Sequence, residues 1–237
     1  MGNLETNVGD ALDWLTDDYL RVEISGLEHI PATGPAILTA NHSGAWGFDG
    51  LVLNTVLRRE LARPVHLYAD KLVFRLPAVA AYARRLGIFC DDPTLGRDRL
   101  VEGGLVAVFP EGMAGVGKDF SQRYRLRPFN PGFAATALLT GAPVVPVSIV
   151  GAEETFPKLG EIGALARRFE LPYFPVTTPL PLPAKWLVTF GEPIPAPAAD
   201  PSYARRSAAA RRLSDEAWFT VQAMVDRDRG RRKTPFW

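Results

Sequence analysis

His42 stands just past an apolar run, Ala36-Ile37-Leu38-Thr39-Ala40, and opens a stretch that reaches Asp49 through Ser43-Gly44-Ala45-Trp46-Gly47-Phe48. An imidazole titrates near pH ~6.5 and can take a proton at neutral pH, while a carboxylate at its back fixes the tautomer and stabilises the charged ring. The chemistry these two residue types suggest is activation of a hydroxyl. A second apolar run, Leu105-Val106-Ala107-Val108-Phe109, leads into Pro110-Glu111-Gly112 and echoes the first arrangement.

Other chemistry-bearing residues point nowhere as coherent. His29 and His66 are isolated, and no spacing of His, Cys and acidic residues makes a metal site. Gly115-Val116-Gly117-Lys118 has the glycines of a phosphate cradle without the Walker spacing, so nucleotide binding is not expected. No Gly-x-Ser-x-Gly elbow is present, which argues against a serine hydrolase. Cys90 reads as a small buried residue.

The elements that must hold these residues alternate in type. Strand-like runs cover Arg21–Ile24, Ala36–Ala40, Val65–Ala69, Gly87–Cys90, Leu105–Phe109, Val144–Val150 and Trp186–Phe190. Helical spacing covers Asp49–Leu61, Lys71–Leu86 with a kink at Pro77, Leu95–Glu102, Gly132–Thr140 and Tyr203–Arg229. The alternation predicts an α/β fold with a mixed, mostly parallel central sheet flanked by helices. Groups at the carboxyl ends of strands in such a sheet lie where ligands bind, and both motifs obey that rule. Leu171–Ala184 is uncharged and carries five prolines among aromatic and aliphatic residues, which predicts a loop bearing aromatic surface.

At 237 residues, 47% apolar and 22% charged, the chain is expected to form one domain over 1–237, with a motif core of about 22–194 and a C-terminal helix and basic tail at about 202–237. A net charge of +1 argues against a nucleic-acid partner. The single cysteine and the absence of a signal-peptide pattern point to the cytoplasm. Residues 129–152 carry no charge, but prolines and glycines divide them into a helix and a strand, so no transmembrane helix is expected. Met1-Gly2-Asn3-Leu4-Glu5-Thr6 fits a loose myristoylation pattern without the basic residues that would support it. The arginine-bearing helix 71–86 either packs on the sheet or dips into a membrane surface. The tail, with Arg227, Arg229, Arg231, Arg232 and Lys233 before Pro235-Phe236-Trp237, is either a solvated terminus or drawn to anionic lipid.

From Val22 to Ile194 the chain resembles the glycerolipid acyltransferases, which include bacterial lysophosphatidate acyltransferases. The likeness rests on Gly26-Leu27-Glu28-His29-Ile30-Pro31, Asn41-His42 with Asp49, and Phe109-Pro110-Glu111-Gly112, in that order. Gly141-Ala142-Pro143-Val144-Val145-Pro146-Val147 and Phe190-Gly191-Glu192-Pro193-Ile194 complete it. The resemblance implies an enzyme transferring a fatty acyl group from a thioester, on coenzyme A or an acyl carrier protein, to a hydroxyl of a lysophospholipid or a mono- or diacylglycerol. It implies no further cofactor, and peripheral attachment to the cytoplasmic face of a membrane. It makes His42 the general base and Asp49 its orienting partner. Phe109, Pro110, Glu111 and Gly112 would shape the acceptor pocket, with Glu111 hydrogen-bonding acceptor hydroxyls, and Pro143 to Pro146 would brace the site or the acyl channel.

Two departures from the family's common pattern stand out. Six residues rather than four separate His42 from Asp49, and the Asn-His-Ser-Gly opening with this spacing resembles a branch close to monoacylglycerol and diacylglycerol acyltransferases. Shared sides of a helix, or folding back at Gly44 and Gly47, could still bring the pair together. Where a phosphate-binding arginine is expected, the chain has Cys90-Asp91-Asp92, leaving Lys118 and Arg127, with Arg97, Arg99, Arg123 and Arg125, as substitute cations. Two alternatives stay open: an esterase or thioesterase using the same dyad on water, and an inactive lipid-binding protein of the same fold.

Overall fold

Seven short strands pair edge to edge because none can stand alone, and two central ones, β2 (Ala36–Ala40) and β6 (Val144–Val150), are rich in apolar and β-branched residues and buried at every position. The computed structural model describes residues 9–69, 71–74, 80–81, 83–84, 88–90, 93–197 and 202–236. With β1 (Glu23–Ser25), β3 (Val65–Ala69), β4 (Ile88–Cys90), β5 (Leu105–Val108) and β9 (Leu187–Phe190), the sheet order is β1-β9-β6-β2-β5-β3-β4. Every neighbouring pair is parallel except β6 with β9. A separate two-stranded ribbon joins β7 (Gly160–Glu161) to β8 (Pro175–Val176). The mixed, mostly parallel sheet is as expected from the sequence; the loop expected at 171–184 contributes β8.

Helices cover both faces. Leu38, Leu105, Ala107, Val145 and Val147 pack on one side with Leu53, Leu57 and Trp186, where α1 (Phe48–Glu60) lies. Ile37, Val106 and Val144 face the other side, with α2 (Pro93–Val101), α4 (Gly132–Thr140) and α7 (Tyr203–Arg231). Shorter helices include α3 (Met113–Val116), α5 (Ala152–Thr155) and α6 (Gly163–Arg168). Helix α7 buries Leu213, Ala217, Val221 and Met224 at the spacing read from the sequence.

Two expectations change. The basic tail is no loose terminus: α7 runs on through Arg231, and the Arg232 side chain, only 3% exposed, pairs with Glu154 at 2.6 Å and donates to the Lys185 carbonyl at 2.9 Å. Lys185 N–H in turn donates to the Pro235 carbonyl, so the segment beyond the helix is docked. The two terminal nitrogens of this buried guanidinium are bonded to Glu154, the Tyr124 hydroxyl and the Lys185 carbonyl. Of the expected arginine-bearing helix, Lys71–Phe74 form a 3₁₀ turn and 80–81 and 83–84 are helical; the remainder, like Asp91 and Asp92, lies outside the described residues. Among the described residues no helix is long and apolar enough to cross a membrane.

Candidate active site

Three adjacent strands deliver the site. β2 and β5 run parallel with Thr39 opposite Val108, so His42 and the Phe109-Pro110-Glu111 turn emerge side by side. β2 and β6 run parallel with Ala40 opposite Val147, which places Glu153 just beyond β6 on the third side. Asn41 extends this pairing with its side chain, accepting from Ile149 N–H at 2.7 Å and donating to the Ile149 carbonyl at 2.9 Å. Past the last strand residue the amide thus replaces a backbone rung and sets the exit direction of the chain at His42.

His42 Nδ1 lies 2.8 Å from Asp49 Oδ2. Asp49 is fully buried in the first turn of α1, where its carboxylate also accepts from Ser43 N–H at 2.7 Å and Gly50 N–H at 2.9 Å. Three donors converge on one buried carboxylate at the N-terminus of α1 and fix its position behind the ring. The longer spacing is absorbed in the loop, since His42 precedes the helix: Gly47, at φ 66°, turns the chain and accepts from Gly50 N–H at 3.1 Å. A Cβ on Gly47 would stand 3.4 Å from His42 Cε1, so glycine here both makes the turn and leaves room beside the ring. Phe109 stacks on the imidazole with centroids 4.3 Å apart. Nε2, the remaining ring nitrogen, has no hydrogen-bond partner among the described residues, and His42 lines the cavity.

Glu111 has a different place from the one its motif implied. One oxygen accepts from the His42 backbone N–H at 2.8 Å, the other from the Arg127 backbone N–H at 2.6 Å, and the side chain is 0% exposed. Its carboxylate holds two chain segments, one through each oxygen. Lys118, 3% exposed, sits 3.5 Å from Glu111 and 3.3 Å from Glu153. Burial pushes the Glu153 carboxyl up to about 7, against the lowering pull of Lys118, with Glu111 and Asp49 adding to the rise. Near neutrality Glu153 is therefore protonated part of the time, and Lys118 and Glu111 form the pair whose charges cancel. Gly115 packs against this corner, where a Cβ would meet the His42 carbonyl at 2.6 Å.

A cavity of about 890 Å³ opens from His42. Phe109, Pro110, Glu111 and Gly112 are part of its wall; Lys118 and Arg127 are not among the lining residues. The Arg127 guanidinium donates to Gln122, and its carbonyl accepts from the Trp218 indole. Of the other substitute cations, Arg99 pairs with Glu102 and Arg123 lies over the Phe120 ring. The lining is mostly aliphatic, aromatic and glycine, with imidazole, carboxyl, amide and hydroxyl groups from His42, Glu111, Asn130, Tyr68, Thr136 and Tyr173. From His42 the cavity follows the sheet down to Val106 and Ile37 under Gly96, Leu100 and Phe133, on the order of 15 Å at the ~3.3 Å rise of a strand residue. Tyr173 closes the opposite side; its phenol, raised by burial, stays protonated and donates weakly to the Ala45 carbonyl at 3.4 Å.

Asn41, Lys118 as an ion-pair partner, Glu153 and Tyr173 are the site residues sequence reasoning missed. Asn41 stood beside His42 in the motif, and the buried Glu153-Glu154 pair directly after the most apolar strand was the one signal available for the acidic side. His66, whose imidazole burial holds below its ordinary value, and His29, bonded to the Phe190 carbonyl, serve other parts of the fold.

Comparison with known proteins adds four findings. A family model described as Acyltransferase matches residues 21–150. An uncharacterized protein of Mycobacterium tuberculosis is 45% identical over 199 residues, covering 79% of this chain and 56% of its own length. A Gallus gallus protein named DGAT1/2-independent enzyme synthesizing storage lipids is 30% identical over 179 residues, 73% of this chain and 52% of its own. The chain thus spans little more than half the length of these curated relatives. The crystal structure of the 1-acyl-sn-glycerophosphate acyltransferase PlsC from Thermotoga maritima superposes with a TM-score of 0.62 at 23% identity, over 98% of this chain and 81% of that one. The last likeness shows a shared fold.

Proposed function

The chain belongs to the acyltransferase family, and from that premise we propose that it is an O-acyltransferase moving a fatty acyl group from an acyl thioester to a hydroxyl of a glycerol-type lipid. The observation that carries the reading is the His42–Asp49 pair, its Nε2 unengaged, at the head of a long apolar cavity. The acceptor oxygen attacks the thioester carbonyl carbon as its proton passes to His42 Nε2. Asp49 stabilises the imidazolium, and the intermediate collapses to ester and thiolate, which leaves with the proton from His42. No covalent acyl-enzyme is required. Glu111 acts through the backbone, holding His42 against the turn after β5.

The apolar floor suits an acyl chain. The acceptor that fits best is uncharged, a mono- or diacylglycerol, because among the described residues the lining carries no charged side-chain type apart from His42 and the committed Glu111, and Lys118, Arg127 and Arg99 are engaged elsewhere. The storage-lipid activity in the name of the Gallus gallus relative accords with this choice; the phosphate-bearing substrate in the name of PlsC is the competing one. The thioester donor is acyl-coenzyme A or an acyl carrier protein, and the work is done at a membrane surface.

Purified protein given acyl-coenzyme A with a monoacylglycerol, a diacylglycerol or a lysophosphatidate tests all of this. Thiol release matched by ester formation on the neutral acceptors is the expected result. Ester formation on lysophosphatidate alone overturns the acceptor assignment. Free fatty acid without ester points to hydrolysis, and no turnover with any acceptor or donor points to a lipid-binding protein.

A further inference from the structure

The mouth of the cavity is rimmed by aromatic rings that the fold holds out in solvent. Trp46 lines the cavity yet is 52% exposed, and its ring meets that of Phe174 edge-on with centroids 5.8 Å apart. Phe174 stacks on Phe169 at 5.9 Å, and Phe169 is 54% exposed. Backbone geometry fixes this arrangement. Helix α6 ends with Leu171 N–H bonded to the Ala166 carbonyl at 2.9 Å, and Glu170 takes the left-handed conformation at φ 52°. The reversal leaves Phe169 outside while Leu171, Pro172 and Tyr173 return to line the cavity. Arg167 and Arg168, both exposed, sit in the turn just before it.

Rings left half in water gain from burial, so a contiguous exposed cluster held by a defined turn marks a contact surface. We propose that Trp46, Phe169 and Phe174, with Arg167 and Arg168, form the face by which the protein docks on a bilayer containing anionic lipid. The proposal rests on the reading of the cavity as a lipid site. Two observations select a bilayer as the occupant. The patch is continuous with the apolar cavity, so a chain leaving the membrane here enters protein without exposing methylenes to water, at about 0.8 kcal/mol for each one. Aromatic rings beside two arginines also match an interface in which rings lie at the headgroup boundary and cations meet anionic phosphates.

The test uses the full chain, vesicles of phosphatidylcholine with or without phosphatidylglycerol, and the variants Phe169→Ser and Arg167→Ser/Arg168→Ser, none of which touches the cavity lining. The wild type is expected to sediment with the mixed vesicles at low salt. Phe169→Ser should lower the partition coefficient about tenfold or more. The arginine pair should lower it by about fivefold per charge, an effect absent on pure phosphatidylcholine. Turnover of a short-chain, water-soluble thioester with a soluble acceptor should stay at the wild-type level in both variants. Wild type that ignores vesicles, or variants that bind them equally well, overturns the proposal. So does a Phe169→Ser change that alters only the molecular mass in the ultracentrifuge, which would make the patch a contact between copies. Vesicle binding lost as expected, with thioester turnover absent in every protein, supports the docking face and overturns the acyl-transfer reading alone.

Discussion

The polar network behind His42 and the cavity floor over Ile37 and Val106 meet at the imidazole and follow opposite rules. In the network, a wall of which only His42 and Glu111 reach the cavity, His42, Asp49, Glu111, Lys118 and Glu153 are each tied to a partner, most of them buried, so the position of the imidazole follows from a closed set of bonds. On the floor, Ile37, Gly96, Leu100, Val106 and Phe133 offer shape and no direction. A polar network in low dielectric tolerates no missing member, whereas an apolar surface adjusts to one methyl more or less. The difference predicts chemistry that fails sharply at the wall and selectivity that drifts gradually along the floor.

The strongest way to break the contrast is at His42. His42→Ala should lower kcat by about 10² to 10⁴-fold in a thiol-release assay while circular dichroism keeps the wild-type fold. Lys118→Met comes next: it strips the cation from between two buried carboxylates, and removing one partner of a buried pair costs about 3–5 kcal/mol, read as a lower midpoint in urea. The double variant Lys118→Met/Glu153→Gln should recover part of that loss, because one of the orphaned charges is gone.

A pH titration of stability sharpens the same wall. Glu153 is raised from 4.5 to about 7 in the folded protein, so the native state binds its proton more tightly than the unfolded chain. That contribution is fully present below pH ~4.5 and is lost as pH rises through about 7, giving a falling slope over this window. Glu153→Gln should flatten that part of the curve, as followed by urea unfolding at successive pH values. The smallest effect belongs to the floor. Gly96→Ala adds a methyl 3.6 Å from the Tyr68 ring inside α2, where alanine is the better helix former by about 0.8–1 kcal/mol. It should raise stability slightly and shift kcat/KM modestly toward shorter acyl chains; an unchanged chain-length profile would place the acyl group elsewhere.

What the sequence disclosed divides along the same line. Runs such as Ala36–Ala40 and Val144–Val150 are buried on both faces and read directly as central strands, and the carboxyl-end rule then put His42 beside Glu111. Asp49 was legible as a partner, but the loop that closes the gap depends on the left-handed turn at Gly47, which no periodicity announces. Glu111 and Lys118 were legible as members of a site and illegible in their roles. A charged residue in a motif looks the same whether it faces a ligand or a backbone amide, and only the meeting of β5, β6 and the loop after α3 decides. The tail misled for a related reason: five basic residues in seven suggest solvent, yet Arg232 finds Glu154 far away in the sequence.

That latch bears on the order in which the protein is made. Tyr124 donates its backbone N–H to Glu153 and its hydroxyl to Glu154, so the acid beside Lys118 and the acid beside Arg232 hang from one residue. His42 leaves the ribosome well before Arg232, so a nascent chain carries the base long before the corner that steadies it can close. Synthesis at about 5–20 residues per second makes that interval many seconds long. Over that time the emerging chain holds the imidazole by Asp49 and Phe109 alone, and the buried acids behind it gain their last cation only when α7 docks.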